Sequence, residues 1–177
     1  MEILEGKTKV VLLKADITTQ QVDAIVNAAN SALSGGGGVD GAIHRAAGPS
    51  VLEECRRVKG GCPVGQAVAT GGGDLAAAKV IHAVGPVWYG GSKGEAELLA
   101  AAYRSSLRVA MQEGCRSVAF PSISTGAYRY PIKSAAAIAV DTVLNTLRQH
   151  PDAFDLIRFV AFSDKDLQVY QDTLRER

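Results

Sequence analysis

The chain has 177 residues, 47% of them hydrophobic and 21% charged, and 19 basic against 18 acidic side chains leave a net charge of +1. That length and balance fit one soluble domain over residues 1–177, with no basic run to drive non-specific nucleic-acid binding. No apolar run reaches the ~20 residues of a membrane span, so no membrane partner is expected.

Val10 to Leu13 is a continuous apolar run and predicts a buried strand, and Val22 to Ala28 predicts a second. Helices are predicted from about Val39 to Ala47 and over Ser50 to Val58, then strands over Gln66 to Thr70 and Lys79 to Val84. From Glu95 to Glu113 the residues Leu98, Leu99, Ala102, Tyr103, Leu107, Ala110 and Met111 form one helical stripe. Gly114 suits the position just past its end. A strand over Ser117 to Pro121, a helix over Pro131 to Arg148 and a strand over Leu156 to Phe162 follow. Ser163 and Asp166 resemble a capping box that opens a final helix. Continuous apolar strands alternating with helices predict an α/β fold in three layers, α/β/α. Ligands then bind at the carboxyl ends of the strands.

The stretch Asn27 to His44 contains four consecutive glycines, Gly35 to Gly38. Packing a core does not call for them, and each loses more backbone entropy on folding than alanine. A loop wrapped closely around an anion does call for them, because bare backbone N–H groups can then point at a phosphate. Gly36, Gly38 and Gly41 formally satisfy GxGxxG, but the loop does not follow its strand directly. The acids downstream, Glu53 and Glu54, fall on a helix rather than the next strand. No GK[ST] follows the glycines, which excludes a Walker A loop, and no GxSxG elbow is present. The three cysteines are widely spaced and suggest no disulfide framework, so a reducing, cytoplasmic setting is expected. His44, His82 and His150 are scattered along the chain, and no metal or other cofactor is expected.

The chain resembles the macro domains, specifically the bacterial and MacroD-like branch associated with O-acetyl-ADP-ribose deacetylation. The resemblance rests on ADI at Ala15–Ile17, VDAIVNAAN at Val22–Asn30 and GGGGVDGAIHRAAG at Gly35–Gly48. It continues in CPVGQAVAT at Cys62–Thr70, HAVGPVW at His82–Trp88 and FPSISTGAYRYP at Phe120–Pro131. It implies one macro domain over residues 1–177 with a mixed, mostly parallel central sheet. The implied partners are ADP-ribose, O-acyl-ADP-ribose and mono-ADP-ribosylated proteins. The implied reaction is hydrolysis of an ester on the distal ribose. A non-catalytic ADP-ribose reader and a regulatory interaction protein are the alternatives.

By resemblance, Asp16 accepts from the adenine amino group with Ile17 beside it, and Phe162 stacks on the ring. The family usually has glycine where this chain has Ala15. Read as residues alone, Asp16 has an alternative as a helix cap or turn acid and Phe162 one as a core side chain. Asn30 is implied to hold the distal ribose and to share catalysis with Asp40, while Asn27 either contacts ligand or braces the loop. Gly35, Gly36, Gly37, Gly38 and Val39 are implied to pass the distal ribose and diphosphate. Ser124, Thr125, Gly126 and Ala127 are implied to clasp the diphosphate, with Tyr128 closing over the ribose. His44 lies one turn after Asp40 on the same helix face and is implied to support it.

Overall fold

The computed structural model describes every residue from Met1 to Arg177. The strands are β1 (Glu2–Glu5), β2 (Thr8–Lys14), β3 (Ala24–Ala28), β4 (Ala67–Gly71), β5 (Lys79–Ala83), β6 (Ser117–Phe120) and β7 (Leu156–Ala161). They form one sheet in the order β1-β2-β7-β6-β3-β5-β4. The five central strands run parallel, and β1 and β4 pair antiparallel at the two edges. The sheet is therefore mixed and mostly parallel.

Alternation along the central strands sends successive side chains into opposite layers. Val10, Leu12, Val26, Val118, Phe120, Ile157 and Phe159 enter a core of 29 buried residues. The helices α3 (Glu95–Gln112), α4 (Ile132–Gln149) and α5 (Asp164–Arg175) close that layer. Ile25, Val80, Ala119 and Val160 point the other way, against Ile17 and Ile43. On that face lie α1 (Gly38–Ala47), α2 (Pro49–Arg56) and a short 3-10 turn at Ile17–Thr19. The three-layer α/β/α arrangement is the one expected. No helix is long and apolar enough to cross a membrane.

The local signals act as expected at three helix ends. Gly114 takes φ +71° just beyond α3. Pro131 stands immediately before α4 with its φ at −58°, preset for the helix that begins at Ile132. Ser163 Oγ accepts from the Asp166 N–H at 3.1 Å and caps α5. β1 carries no apolar run and is not predictable from one: its side chains alternate exposed and half-buried, and Leu4 is exposed. It becomes a strand by pairing with β2 across a turn in which Gly6 takes φ +60°. Val84, Pro121 and Phe162 lie just past their strands, because there the chain leaves the ladder to build loops. Those loops, with the ones after β2 and β3, gather along one edge of the sheet.

Candidate active site

Two loops at that edge face each other across a cleft of about 290 Å³. The first joins β3 to α1. Asn30 shapes it, with Nδ2 donating to Gly35 O at 3.0 Å and Oδ1 accepting from the Ser34 N–H at 3.1 Å. Gly35 and Gly38 take φ of +81° and +57°, a region that favours glycine. A Cβ on Gly41 would stand 2.5 Å from Gly36 O, so the glycine there lets the loop lie on α1. The N–H groups from Gly36 to Asp40 donate to no backbone acceptor, and Gly37 gives α1 no side-chain cap. Open donors and the positive end of the helix dipole suit this loop to an anion.

The second loop joins β6 to α4. Thr125 Oγ1 donates to Ser122 O at 3.0 Å, and the Tyr130 N–H donates to Ser124 O at 2.9 Å. These bonds hold Ser124 at φ +68°, a strained setting for a residue with a Cβ. The N–H groups from Ser124 to Tyr128 donate to no backbone acceptor. Ser124 Oγ is buried without a partner, a second open polar group on this loop. No lysine or arginine lines the cleft, and its donors are backbone N–H groups and small polar side chains.

Asp40, in the first turn of α1, is 6% exposed. Its Oδ1 accepts from Asn27 Nδ2 at 2.8 Å and lies 3.2 Å from His44 Nε2. Oδ2 takes no bond from the protein and faces the glycine loop, 3.3 Å from where a Gly36 Cβ would sit. One oxygen is thus fixed from behind while the other is free on the cleft side. Asn27 is fully buried and stands behind Asp40, not on the cleft wall. It therefore supports the β3–α1 loop through Asp40.

Asn30, Gly36, Gly37, Gly38, Val39, Asp40, Ser124, Gly126, Ala127 and Tyr128 line the cleft, whereas Gly35 and Thr125 shape the loops without lining it. Ala28, Ala29, Gly85, Ser122 and Ile123 also line it and carry no signal of their own chemistry. Gly85 has a steric one: its Cβ would stand 2.2 Å from Ser124 Oγ, so glycine lets the segment after β5 pack against the second loop.

Asp16, Ile17 and Phe162 lie outside the cleft. Lys14 and Ala161 are register partners, and the Ala15 N–H donates to Ala161 O at 3.3 Å. Asp16 and Phe162 therefore leave the sheet side by side. Asp16 Oδ1 accepts from Thr18 Oγ1 at 2.7 Å and the Thr18 N–H at 2.9 Å, which caps the 3-10 turn. Those two bonds hold its carboxyl below the usual range. Phe162 is 85% exposed, which rules out the core alternative.

The histidines are not all scattered in space. The rings of His44 and His82 stack with centroids 5.9 Å apart, and Cys55 Sγ lies 3.6 Å from His82 Nε2. The three offer metal-ligand atoms within 4.8 Å of one another. Both His82 nitrogens have hydrogen-bond partners, Asn27 and Thr70. Burial, then the charges of Asp40 and Glu54, push the Cys55 thiol up to about 11, so it stays protonated at neutral pH.

One further anchor ends the HAVGPVW motif. Trp88 lies behind the second loop, its N–H on Tyr128 O at 2.8 Å and its ring 4.7 Å from that of Tyr130. Glu95 fixes the segment that follows, accepting from the N–H groups of Tyr89, Gly91 and Lys93. Burial pushes its carboxyl up, but these bonds outweigh it and bring it to about 2 from an ordinary 4.5. The unfolded chain therefore binds a proton before the folded one does. The stability this carboxylate contributes is complete above pH 4.5 and is lost as pH falls toward 2. Acid unfolding followed by tryptophan fluorescence should show a shallower acid limb in Glu95→Gln than in wild type. Equal slopes would remove Glu95 from the linkage.

The family model described as "Macro domain" matches residues 26–139. A macro domain-containing protein of Chlorobaculum tepidum is 59% identical, with 92% of this chain and 93% of that protein aligned. A protein of Enterobacter cloacae named O-acetyl-ADP-ribose deacetylase is 53% identical, with 97% and 96% aligned. The solved structure of an Oceanobacillus iheyensis macrodomain with ADP superposes at a TM-score of 0.95 and 40% identity, covering 99% of this chain and 95% of that one. With the family model spanning most of the chain and relatives sharing more than half its residues over nearly its full length, the chain belongs to the macro domain family.

Proposed function

We propose that the cleft binds ADP-ribose and hydrolyses esters on its distal ribose, either the acetyl ester of O-acetyl-ADP-ribose or the ester joining mono-ADP-ribose to a protein Asp or Glu. The observation that carries this reading is the Asp40 carboxylate, pinned through Oδ1 and open through Oδ2 at the mouth of an anion-binding loop. The names of similar proteins support it: one relative is an O-acetyl-ADP-ribose deacetylase, and one solved macrodomain holds ADP.

In this reading the two rows of free N–H groups bind the diphosphate, and Asp16 and Phe162 take the adenine. Asn30 holds the distal ribose at the β3–α1 loop. Oδ2 of Asp40 accepts a hydrogen bond from water and aims it at the ester carbonyl carbon. Water adds to that carbon, the ester C–O bond breaks, and the proton lost by water reaches the departing ribose oxygen. A carboxylate is a weak base at neutral pH, so its contribution is mainly orientation.

Calorimetry with ADP-ribose after EDTA treatment should show one site per chain, and the same protein should release acetate and ADP-ribose from O-acetyl-ADP-ribose. Binding without product would make the chain a reader. No binding would remove the cleft as an ADP-ribose site. Phe162→Ala should weaken ADP-ribose by about 1–3 kcal/mol, the usual worth of a base stacked on an aromatic ring. Because Phe162 is exposed, the urea midpoint should not move. Unchanged affinity would place the adenine elsewhere.

A further inference from the structure

Behind Asp40 a buried chain of hydrogen bonds runs to the far edge of the sheet. Asp40 Oδ1 accepts from Asn27 Nδ2 at 2.8 Å, and Asn27 Nδ2 lies 3.1 Å from His82 Nδ1. His82 Nε2 lies 2.9 Å from Thr70 Oγ1, which donates onward to Gly71 O at 3.0 Å. Asn27, His82 and Thr70 sit on three neighbouring strands, β3, β5 and β4: Asn27 and His82 are register partners, and Thr70 lies diagonally, two residues along β4 from Val68, the partner of His82.

One arrangement of protons satisfies the contacts of this chain. The Thr70 hydroxyl donates to Gly71 O, so its oxygen accepts and His82 Nε2 carries the hydrogen. His82 Nδ1 is then bare and accepts from Asn27. Asn27 must turn its NH2 group toward both His82 and Asp40, one hydrogen for each. The reverse arrangement hydrogenates Nδ1 and turns the Asn27 oxygen toward it. That leaves no Asn27 N–H within reach of Asp40, and sets oxygen against carboxylate at 2.8 Å. The arrangement has a visible cost, since Asn27 Oδ1 is buried without a partner. His82 is fully buried and its ring is pushed down to about 3 by burial and by His44, so it stays neutral.

We infer that His82 is a positioning residue for hydrolysis, with Thr70 selecting its tautomer and Asn27 passing that choice to the Asp40 carboxylate. The inference rests on the proposed role of Asp40. His82 touches no ligand and does not line the cleft. It acts by keeping Oδ1 engaged from behind, so that Oδ2 stays aimed at the water.

The test uses the full chain and O-acetyl-ADP-ribose. Thr70→Val keeps the shape of the side chain but removes the acceptor of the Nε2 hydrogen. His82→Leu removes the acceptor for Asn27, and His82→Asn restores an acceptor near the place of Nδ1. Thr70→Val and His82→Leu should lower kcat by about 10–100-fold, the usual effect of losing a partner that orients a reacting group from behind. Calorimetric affinity for ADP-ribose should stay unchanged, and His82→Asn should recover much of the rate. Wild-type kcat in folded Thr70→Val would overturn the inference, as would equal losses in His82→Asn and His82→Leu.

A readout without turnover separates this inference from the hydrolase reading. Nitrogen-15 NMR of the wild type should show His82 neutral with the hydrogen on Nε2. Thr70→Val should move both that signal and the Asp40 carboxyl carbon resonance. Failure of wild type to hydrolyse the ester would count against the proposed function alone. A hydrogen on Nδ1, or an Asp40 resonance indifferent to Thr70→Val, would overturn the relay whatever the activity.

Discussion

Gly126→Glu is expected to abolish ADP-ribose binding while leaving the domain folded. Gly126 lies among five consecutive N–H groups that have no backbone acceptor, on the wall of the cleft. A Cβ built there meets nothing within 4 Å, so the protein itself has room for a side chain. Its φ is not positive, so the backbone tolerates one as well. The new carboxylate would then occupy the space given to the diphosphate and repel it at short range, in a cleft with no lysine or arginine to neutralise it. Calorimetry and a urea melt decide the matter together. Retained affinity in a folded variant would move the phosphates away from this loop.

Asp40→Ala is expected to cut turnover of O-acetyl-ADP-ribose by about 10²-fold or more and to change ADP-ribose affinity far less. The carboxylate sits in the first turn of α1, where alanine is a good helix former, so the helix should persist. What disappears is a group fixed by Asn27 and His44 and open to the cleft through Oδ2. Asn30→Ala should lower rate and affinity together, because Asn30 both lines the cleft and ties Gly35 and Ser34 into the loop. The double variant should lose less than the sum of the two in free energy, since both residues position one reacting centre.

From β2 onward the order of elements was legible because apolar runs and helical stripes are long here, and glycine or proline marks their ends. Gly35 to Gly38 predicted a loop with open backbone donors, and the loop stands in the structure with no backbone acceptor for the N–H groups from Gly36 to Asp40. Asp40 was legible by resemblance as the carboxylate of that loop. The polar support behind it was not. Asn27, His82 and Thr70 lie on separate strands, and only the parallel register of β3 with β5 and the antiparallel register of β5 with β4 bring them together. Cys55 reaches His82 from α2, by packing of that helix on the sheet rather than by strand register. Glu95 was hidden because a glutamate at a helix start reads as an ordinary first-turn acid, although here it turns back to bind three loop N–H groups. Asp16 showed how two readings coexist, since one oxygen caps the 3-10 turn while the other takes no bond from the protein.

The most direct measurement is a single-turnover rate for O-acetyl-ADP-ribose, with enzyme in excess and metal removed, taken on wild type and Asp40→Ala beside their calorimetric affinities. Rapid formation of ADP-ribose by wild type, with a fall of about 10²-fold in Asp40→Ala at nearly constant affinity, is the predicted result. Equal rates in the two folded proteins, or tight binding by wild type with no product, would contradict it.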